Sequence, residues 1–280
     1  MKRFILNEKP DKNGAVKLKG SDYHYLVRVR RLAVGEFFPA LLPDDTETQV
    51  QIISVDNNIL KGKCAHPSSL DPNSSLNSAP REPKVRRLCE RYSPIIPPII
   101  LFQALPKADK MDLIVRQAAE GGITEIVPFV SEFSVAKANI SAQKITRWEK
   151  IIKEAKQQSG SKIATSLRLP VSDKCFSIKE IFDYWDNLKK ENAFGLIFHH
   201  QGLEQDSLHE YLNNNPKIVV LVIGPEGGFS DKEVSLFLDN GFKSFTIGDT
   251  VLRTETAALY CAAAIRILLL EKNSWTLKQI

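Results

Sequence analysis

Hydrophobic and polar positions follow two different periods along this chain. In residues 1 to about 65 the period is two. Thr48-Gln49-Val50-Gln51-Ile52 sets polar against apolar side chains, as a strand with one buried face requires. Asp56-Asn57-Asn58 reads as a turn, after which Ile59-Leu60-Lys61-Gly62-Lys63-Cys64 pairs back as a hairpin. One short helix interrupts near Ser21-Asp22-Tyr23-His24-Tyr25-Leu26. A small barrel is the natural way to close so short a sheet and hide its edges.

From Ile99 onward short apolar runs alternate with segments of helical period. Ile99 to Leu105 is predicted as a strand. Asp109 to Glu120 is predicted as a helix with Met111, Ile114, Val115 and Ala118 on one face, stopped by Gly121-Gly122. Glu125 to Val130 is the next strand. Gln143 to Gln158 is amphipathic, with Ile145, Trp148, Ile152 and Ala155 together. Ser177-Ile178-Lys179-Glu180 and Ser230-Asp231-Lys232-Glu233 are capping boxes that open two further helices. Phe194 to Phe198 and Ile218 to Val222 are strands. This alternation predicts an α/β fold whose mostly parallel sheet is covered on both faces.

Between the two regions, residues 66 to 83 are rich in Pro, Ser and Asn, too polar to bury a core, and read as a linker. The chain has 280 residues, enough for two domains with their own cores, and its 43% hydrophobic and 25% charged residues match an ordinary globular protein. Arg266 breaks the C-terminal apolar stretch, so no segment is long enough to span a bilayer, and Asn7-Glu8-Lys9-Pro10 cuts off any signal-peptide core. A cytoplasmic protein is expected. Cys64, Cys89, Cys175 and Cys261 are scattered, with neither a disulfide framework nor zinc spacing, so no metal is expected. The net charge of +5 is modest but clustered: Arg28, Arg30 and Arg31; Arg81 to Arg91; and Lys144 to Lys162. Solvated surface explains any one cluster; three together point toward a phosphate-backbone partner.

Two glycine-bearing turns carry the chemistry. Ile223-Gly224-Pro225-Glu226-Gly227-Gly228 follows one strand, and Ile247-Gly248-Asp249-Thr250-Val251-Leu252 follows Phe245-Thr246. Strand ends of open α/β sheets are where ligands bind, and two turns about 25 residues apart fit one pocket. Neither is a P-loop nor a dinucleotide fingerprint, and Pro225 lacks the amide that such cradles use. A flat base with a polar tail, held by main-chain groups, suits the pattern. Arg253 stands just ahead of the helix opened by Thr254-Glu255-Thr256-Ala257, where the helix dipole disfavours a cation. A local rule broken at a ligand-binding turn suggests function, the alternative being an ion pair with Glu255 or Glu226 that pins the turn. Thr254 reads as a helix cap under either view. Glu226 either accepts backbone amides or faces a second subunit. His199 and His200 lack partners at metal-ligand spacing and read as a loop pair lining the pocket. Lys107 and Lys110 are solvated lysines or phosphate contacts.

Gly224-Pro225-Glu226-Gly227-Gly228 followed by Leu252-Arg253-Thr254-Glu255-Thr256-Ala257 resembles the SPOUT superfamily, and within it the bacterial 16S ribosomal RNA uridine-N3 methyltransferases. Leu105 to Met111, Ile123 to Pro128 and Arg147 to Ile151 support the resemblance, and Tyr25 to Arg30 resembles that family's PUA-like RNA-binding domain. The chain departs from the pattern at Asp249-Thr250, at Ser161 and at Leu42-Pro43-Asp44-Asp45.

The resemblance implies a PUA-like β-barrel in residues 1–70, a linker in 71–98, and a methyltransferase domain with a deep trefoil knot in 99–280. It implies that S-adenosylmethionine is held by His199 to Gly202, Ile223 to Gly228 and Ile247 to Leu252, with Thr256 and Ala257 beside them. Arg253 is then the candidate to stabilise the uridine anion, and Glu255 or solvent to take its proton. Arg28, Arg30, Arg31, Lys107 and Lys110 are the candidate RNA contacts. The implied partners are 16S rRNA or the small ribosomal subunit and a second copy of the chain, with Ala257, Ala258, Cys261, Ala262 and Ala264 offering a small-residue face for the dimer. The rivals are the same fold acting on a ribose 2′-hydroxyl, and a non-catalytic RNA-binding ribosome-assembly module.

Overall fold

The computed structural model describes residues 4–43, 46–65, 96–135, 140–161, 163–170, 175–199, 205–248 and 250–277. The chain divides into two compact units; among the described residues the first takes 4–65 and 157–161, and the second takes 96–156 and those from 163 onward. The expected linker and the basic cluster at Arg81 to Arg91 lie outside the described residues, apart from Ile96, Pro97 and Pro98.

The first unit contains β1 (Phe4–Ile5), β2 (Ala15–Lys19), α1 (Gly20–Tyr23), a π-helical segment (His24–Val29), β3 (Phe37–Leu41), β4 (Glu47–Asp56) and β5 (Ile59–Ala65). These strands form a five-stranded curled sheet in the order β1-β3-β4-β5-β2, half of a barrel. The alternation around Val50 and Ile52 buries both on one face, with Phe4, Leu26, Phe38 and Leu60. The β4–β5 hairpin turns at Asn57 and Asn58, whose positive φ angles of 45° and 59° suit the type I′ turns that match strand twist. The expected helix continues past Tyr23 as a turn of π-helix ending beside Arg30, a form that recurs at functional sites.

The second unit contains β6 (Ile99–Ala104), α2 (Lys110–Gly121), β7 (Glu125–Phe129), α3 (Ala142–Ser159), β8 (Ser166–Leu167), α4 (Ile178–Lys190), β9 (Ala193–Phe198), α5 (Leu208–Leu212), β10 (Ile218–Ile223), α6 (Asp231–Asp239), β11 (Lys243–Phe245) and α7 (Thr254–Leu277). Its sheet runs β11-β9-β10-β6-β7-β8, and every pairing is parallel. Each central strand is buried on both sides, so consecutive residues feed opposite cores. Ile99, Leu101, Val219 and Leu221 pack with α2, α3, α5 and α7. Ile100, Phe102, Val220 and Val222 pack with α4 and α6. Both expected capping boxes form, and a third at Ser207 and Glu210 opens α5. The two-residue β8 and five-residue α5 are too short to leave a periodic signature.

The small-residue face of α7 needs correction. Ala258, Cys261 and Ala262 are buried in the unit's own core, where α7 packs on α2, so those three are not open to a second subunit, while Ala257 and Ala264 are half-buried. Among the described residues of α7, the exposed large apolar side chains are Leu259, Tyr260 and Ile267.

Candidate cofactor and catalytic site

The carboxyl ends of β9, β10 and β11 converge on one cavity of about 580 Å³, within the range that holds small organic ligands. Both glycine turns line it. The first follows β10, with the Gly228 amide donating to the Pro225 carbonyl at 3.0 Å and Gly228 at φ +70°. The second follows β11 and bends at Gly248, φ +63°. A side chain at either position would sit in a backbone region that L-residues rarely adopt. At Gly224 an added Cβ would meet the Phe229 ring and the Gly228 backbone at 3.2–3.4 Å. The first turn therefore has little room for a side chain at Gly224, whereas nothing lies within 4 Å of a Cβ added at Gly248.

A buried strut joins the turns. The Thr254 hydroxyl donates to the Gly224 carbonyl at 2.6 Å and accepts from Gln103 Nε2 at 3.1 Å, while the same Gln103 nitrogen donates to the Ala104 carbonyl at 2.9 Å. The cap expected of Thr254 is corrected accordingly: its side chain ties the second turn to the first. The helix's first intrahelical bond, Ala257 amide to Arg253 carbonyl at 2.7 Å, places Arg253 at the N-cap position. Arginine has no acceptor there, so its side chain does not close the helix end.

Lys110 pins the first turn. Its ammonium lies 2.9 Å from Glu226 and 3.5 Å from Glu255, and the Lys107 amide donates to both Glu226 carboxylate oxygens at 3.1 and 3.2 Å. Burial works to raise the pKa of Glu226, but the bonds from Lys110 and the Lys107 amide outweigh it and hold the carboxyl below its ordinary value. The Glu226 bond raises the pKa of Lys110, with burial opposing. Of the two readings of Glu226, acceptance of a backbone amide is the one observed. Arg253 does not pin the turn; among the described residues its exposed guanidinium is paired with no carboxylate, because Lys110 holds both candidates.

His199, Ile223 to Gly228, Ile247, Gly248, Val251, Leu252, Arg253 and Ala257 line the cavity. The His199 carbonyl accepts the Thr246 hydroxyl at 2.9 Å, binding the end of β9 to the second turn. His200, Gly202 and Asp249 lie outside the described residues. Two expectations are corrected. Thr256 faces outward on α7, and Glu255 turns to Lys110; neither is in the cavity wall. Lys110 is in that wall and neutralised by its carboxylates, which removes it as a free phosphate contact. Cys261 reaches the cavity, but burial pushes its thiol well up, so it stays protonated and is no nucleophile. Arg28 and Arg31 are exposed and Arg30 half-buried where the π-helical segment ends in the first unit.

The sequence reading missed Gln103 and the clamp made by Lys110. Gln103 had a signal: one polar residue inside the apolar run Ile99 to Leu105 must find a buried partner.

Residues 93–266 match the RNA methyltransferase domain family, and residues 18–63 match the RNA methyltransferase PUA domain. The class is therefore that of the RNA methyltransferases. Over 98% of its length the chain is 29% identical to all of ribosomal RNA small subunit methyltransferase E 2 of Borreliella burgdorferi. It is 34% identical to the corresponding Aquifex aeolicus protein, over 64% of this chain and 75% of that one. The crystal structure of ribosomal RNA small subunit methyltransferase E from Neisseria gonorrhoeae, bound to S-adenosylmethionine, superposes with a TM-score of 0.71 at 23% identity, covering 96% of this chain and 98% of that one. A Legionella pneumophila protein solved with the same cofactor superposes with a TM-score of 0.70 at 26% identity, covering 95% and 97%. The chain belongs to the ribosomal RNA small subunit methyltransferase E family.

Proposed function

We propose that this protein transfers a methyl group from S-adenosylmethionine to N3 of a uridine in 16S ribosomal RNA, in the cytoplasm. The observation that carries the reading is the one cavity that both glycine turns line, with Arg253, paired with no carboxylate among the described residues, in its wall. The residues present fit the cofactor. Glycine-bearing turns at Gly224 to Gly228 and Ile247 to Leu252 line the cavity, and Phe198, Phe245 and Ile223 supply apolar surface there. Bound there, S-adenosylmethionine supplies an electrophilic methyl on sulfur.

The chain's own residues supply position and charge. Uridine N3 must lose a weakly acidic proton, leaving an anion spread over the ring oxygens. Arg253, exposed and free of carboxylate partners among the described residues, is placed to stabilise that charge as it forms. Glu255 is held by Lys110 away from the cavity wall, which favours loss of the proton to solvent. The strut from Gln103 through Thr254 to Gly224 fixes the spacing of the two turns, and alignment of methyl and nitrogen depends on that spacing. Arg28, Arg30, Arg31 and Lys107 are the RNA contacts in this reading, and the small ribosomal subunit is the partner. Residues 1–70 and 99–280 act as RNA-binding and methyltransferase domains. The trefoil threading belongs to the same proposal: β11 lies outside β9, yet α7 returns to pack on β10 and β6. The dimer is assigned to the exposed α7 face of Leu259, Tyr260 and Ile267.

The test is a mass map of 16S rRNA from cells lacking the protein. One uridine N3 methyl should be missing and return with the purified protein and S-adenosylmethionine. Persistence of every such methyl retires the proposal.

A further inference from the structure

The loop after β7 places an aromatic side chain against Gly227, a residue of the cavity wall. Its backbone is tied down from several directions: Val130 amide to Phe176 carbonyl at 2.9 Å, Ser131 amide to Ser134 Oγ at 3.2 Å, Ser134 amide to Ser131 carbonyl at 3.0 Å, and Glu132 amide to the buried Glu233 carboxylate at 2.7 Å. On this fixed loop Phe133 keeps 46% of its surface exposed. A lone exposed apolar side chain is ordinary. The exceptional feature of Phe133 is its contact. A Cβ built on Gly227 would lie 3.0 Å from Phe133 Cβ and 3.6 Å from Cγ, so the side chain lies directly on the turn whose other side walls the cavity. Glycine at 227 is what lets it come so close.

Chemistry on a nucleobase requires that the base leave its stack, and an unstacked base is held on an aromatic face. We infer that Phe133 is the stacking platform for the RNA base presented to this cavity, with Gly227 as the seat for the ring. The inference rests on the RNA-methyltransferase reading and names a substrate contact within it. Arg253 acts on the charge of the reacting base; Phe133 holds a base plane at the same cavity's border, so its loss falls on RNA binding and KM and leaves the cofactor untouched.

The test titrates a fluorescein-labelled oligouridylate into the full-length protein loaded with S-adenosylmethionine, comparing wild type with Phe133→Ala, Phe133→Leu and Phe133→Trp. Calorimetry with the cofactor alone and sedimentation run in parallel. Stacking predicts about 5- to 150-fold weaker oligouridylate binding for Ala and Leu, and wild-type or tighter binding for Trp, with cofactor affinity and oligomeric state unchanged. Leu binding as well as Phe overturns the platform, since an apolar contact then suffices. Equal loss of cofactor affinity in all variants makes the ring a support for the turn, and dissociation of the oligomer makes it a subunit contact; either overturns the inference. Methyl transfer to 16S rRNA by the wild type is assayed separately. Its absence retires the methylation reading, while the oligouridylate titration still decides Phe133.

Discussion

The two turns that wall the cavity are built in opposite ways. The turn at Gly224 to Gly228 is held by its own unit: Lys110 and the Lys107 amide grip Glu226, and Thr254 grips the Gly224 carbonyl. The turn at Ile247 to Arg253 is tied firmly at its start, where Gln205 brackets Thr246 through bonds of 2.6 and 3.3 Å. It then presents Val251, 73% exposed, and the exposed Arg253. The lesson is a contrast between a wall held by ion pairs and hydrogen bonds and a wall that leaves charge and apolar surface open.

The largest expected effect lies on the open wall. Arg253→Ala should lower kcat by about 10²–10³-fold with the cofactor Kd unchanged, the size found when one charge-stabilising donor is removed. Steady-state kinetics with calorimetry checks it, and equal loss in both would merge the two walls into one function. Next comes the strut between them. Thr254→Val should cost about 1–3 kcal/mol of unfolding free energy, because Gln103 and the Gly224 carbonyl lose a buried partner together; denaturant melts measure this.

On the rigid wall, Glu226→Gln should weaken cofactor binding about ten-fold while kcat holds, as bonds to a charged group are exchanged for neutral ones. The same pair sets a pH window. The carboxyl of Glu226 sits below its ordinary 4.5, so its contribution is present above 4.5 and is lost as pH falls through the lower folded value. Lys110 sits above its ordinary 10.5, so its contribution is complete below 10.5 and is lost as pH rises through the higher folded value. The pair's contribution to fold stability should be constant between these limits, and Glu226→Gln should remove its acid limb in denaturant melts; an acid limb that survives the substitution places it elsewhere. The smallest effect belongs to Val251→Ser, which should shift fold stability by less than about 0.5 kcal/mol because the side chain is exposed.

The elements were legible where periodicity was long enough to average over. The stripe Met111, Ile114, Val115, Ala118 is buried as its spacing demands, and the hairpin from β4 to β5 turns at its asparagines. Ser177 and Ser230 cap their helices because a capping box is a local motif. The cavity was legible in the same way, since strand–glycine–helix junctions mark ligand ends of parallel sheets. Pair choices among charges were not. Glu226 could meet Arg253, a subunit or an amide; it accepts the Lys107 amide and also pairs with Lys110, both distant in sequence, because the β6–α2 turn comes beside the β10 turn. The face of α7 was misread for a similar reason: small residues pack closely against any partner, and only the fold shows that the partner is α2.

By itself the amino-acid order determined two units of different period, the strand ends that carry glycine turns, and the lone arginine ahead of the last helix, because each depends on residues near one another in the chain. The tertiary structure decided which carboxylates are neutralised, which hydroxyl joins the two turns, and that a phenylalanine from the β7 loop lies on Gly227. Those are contacts between segments far apart in the chain that the sheet order brings together, and sheet order is set by the sum of core packing and not by any local signal.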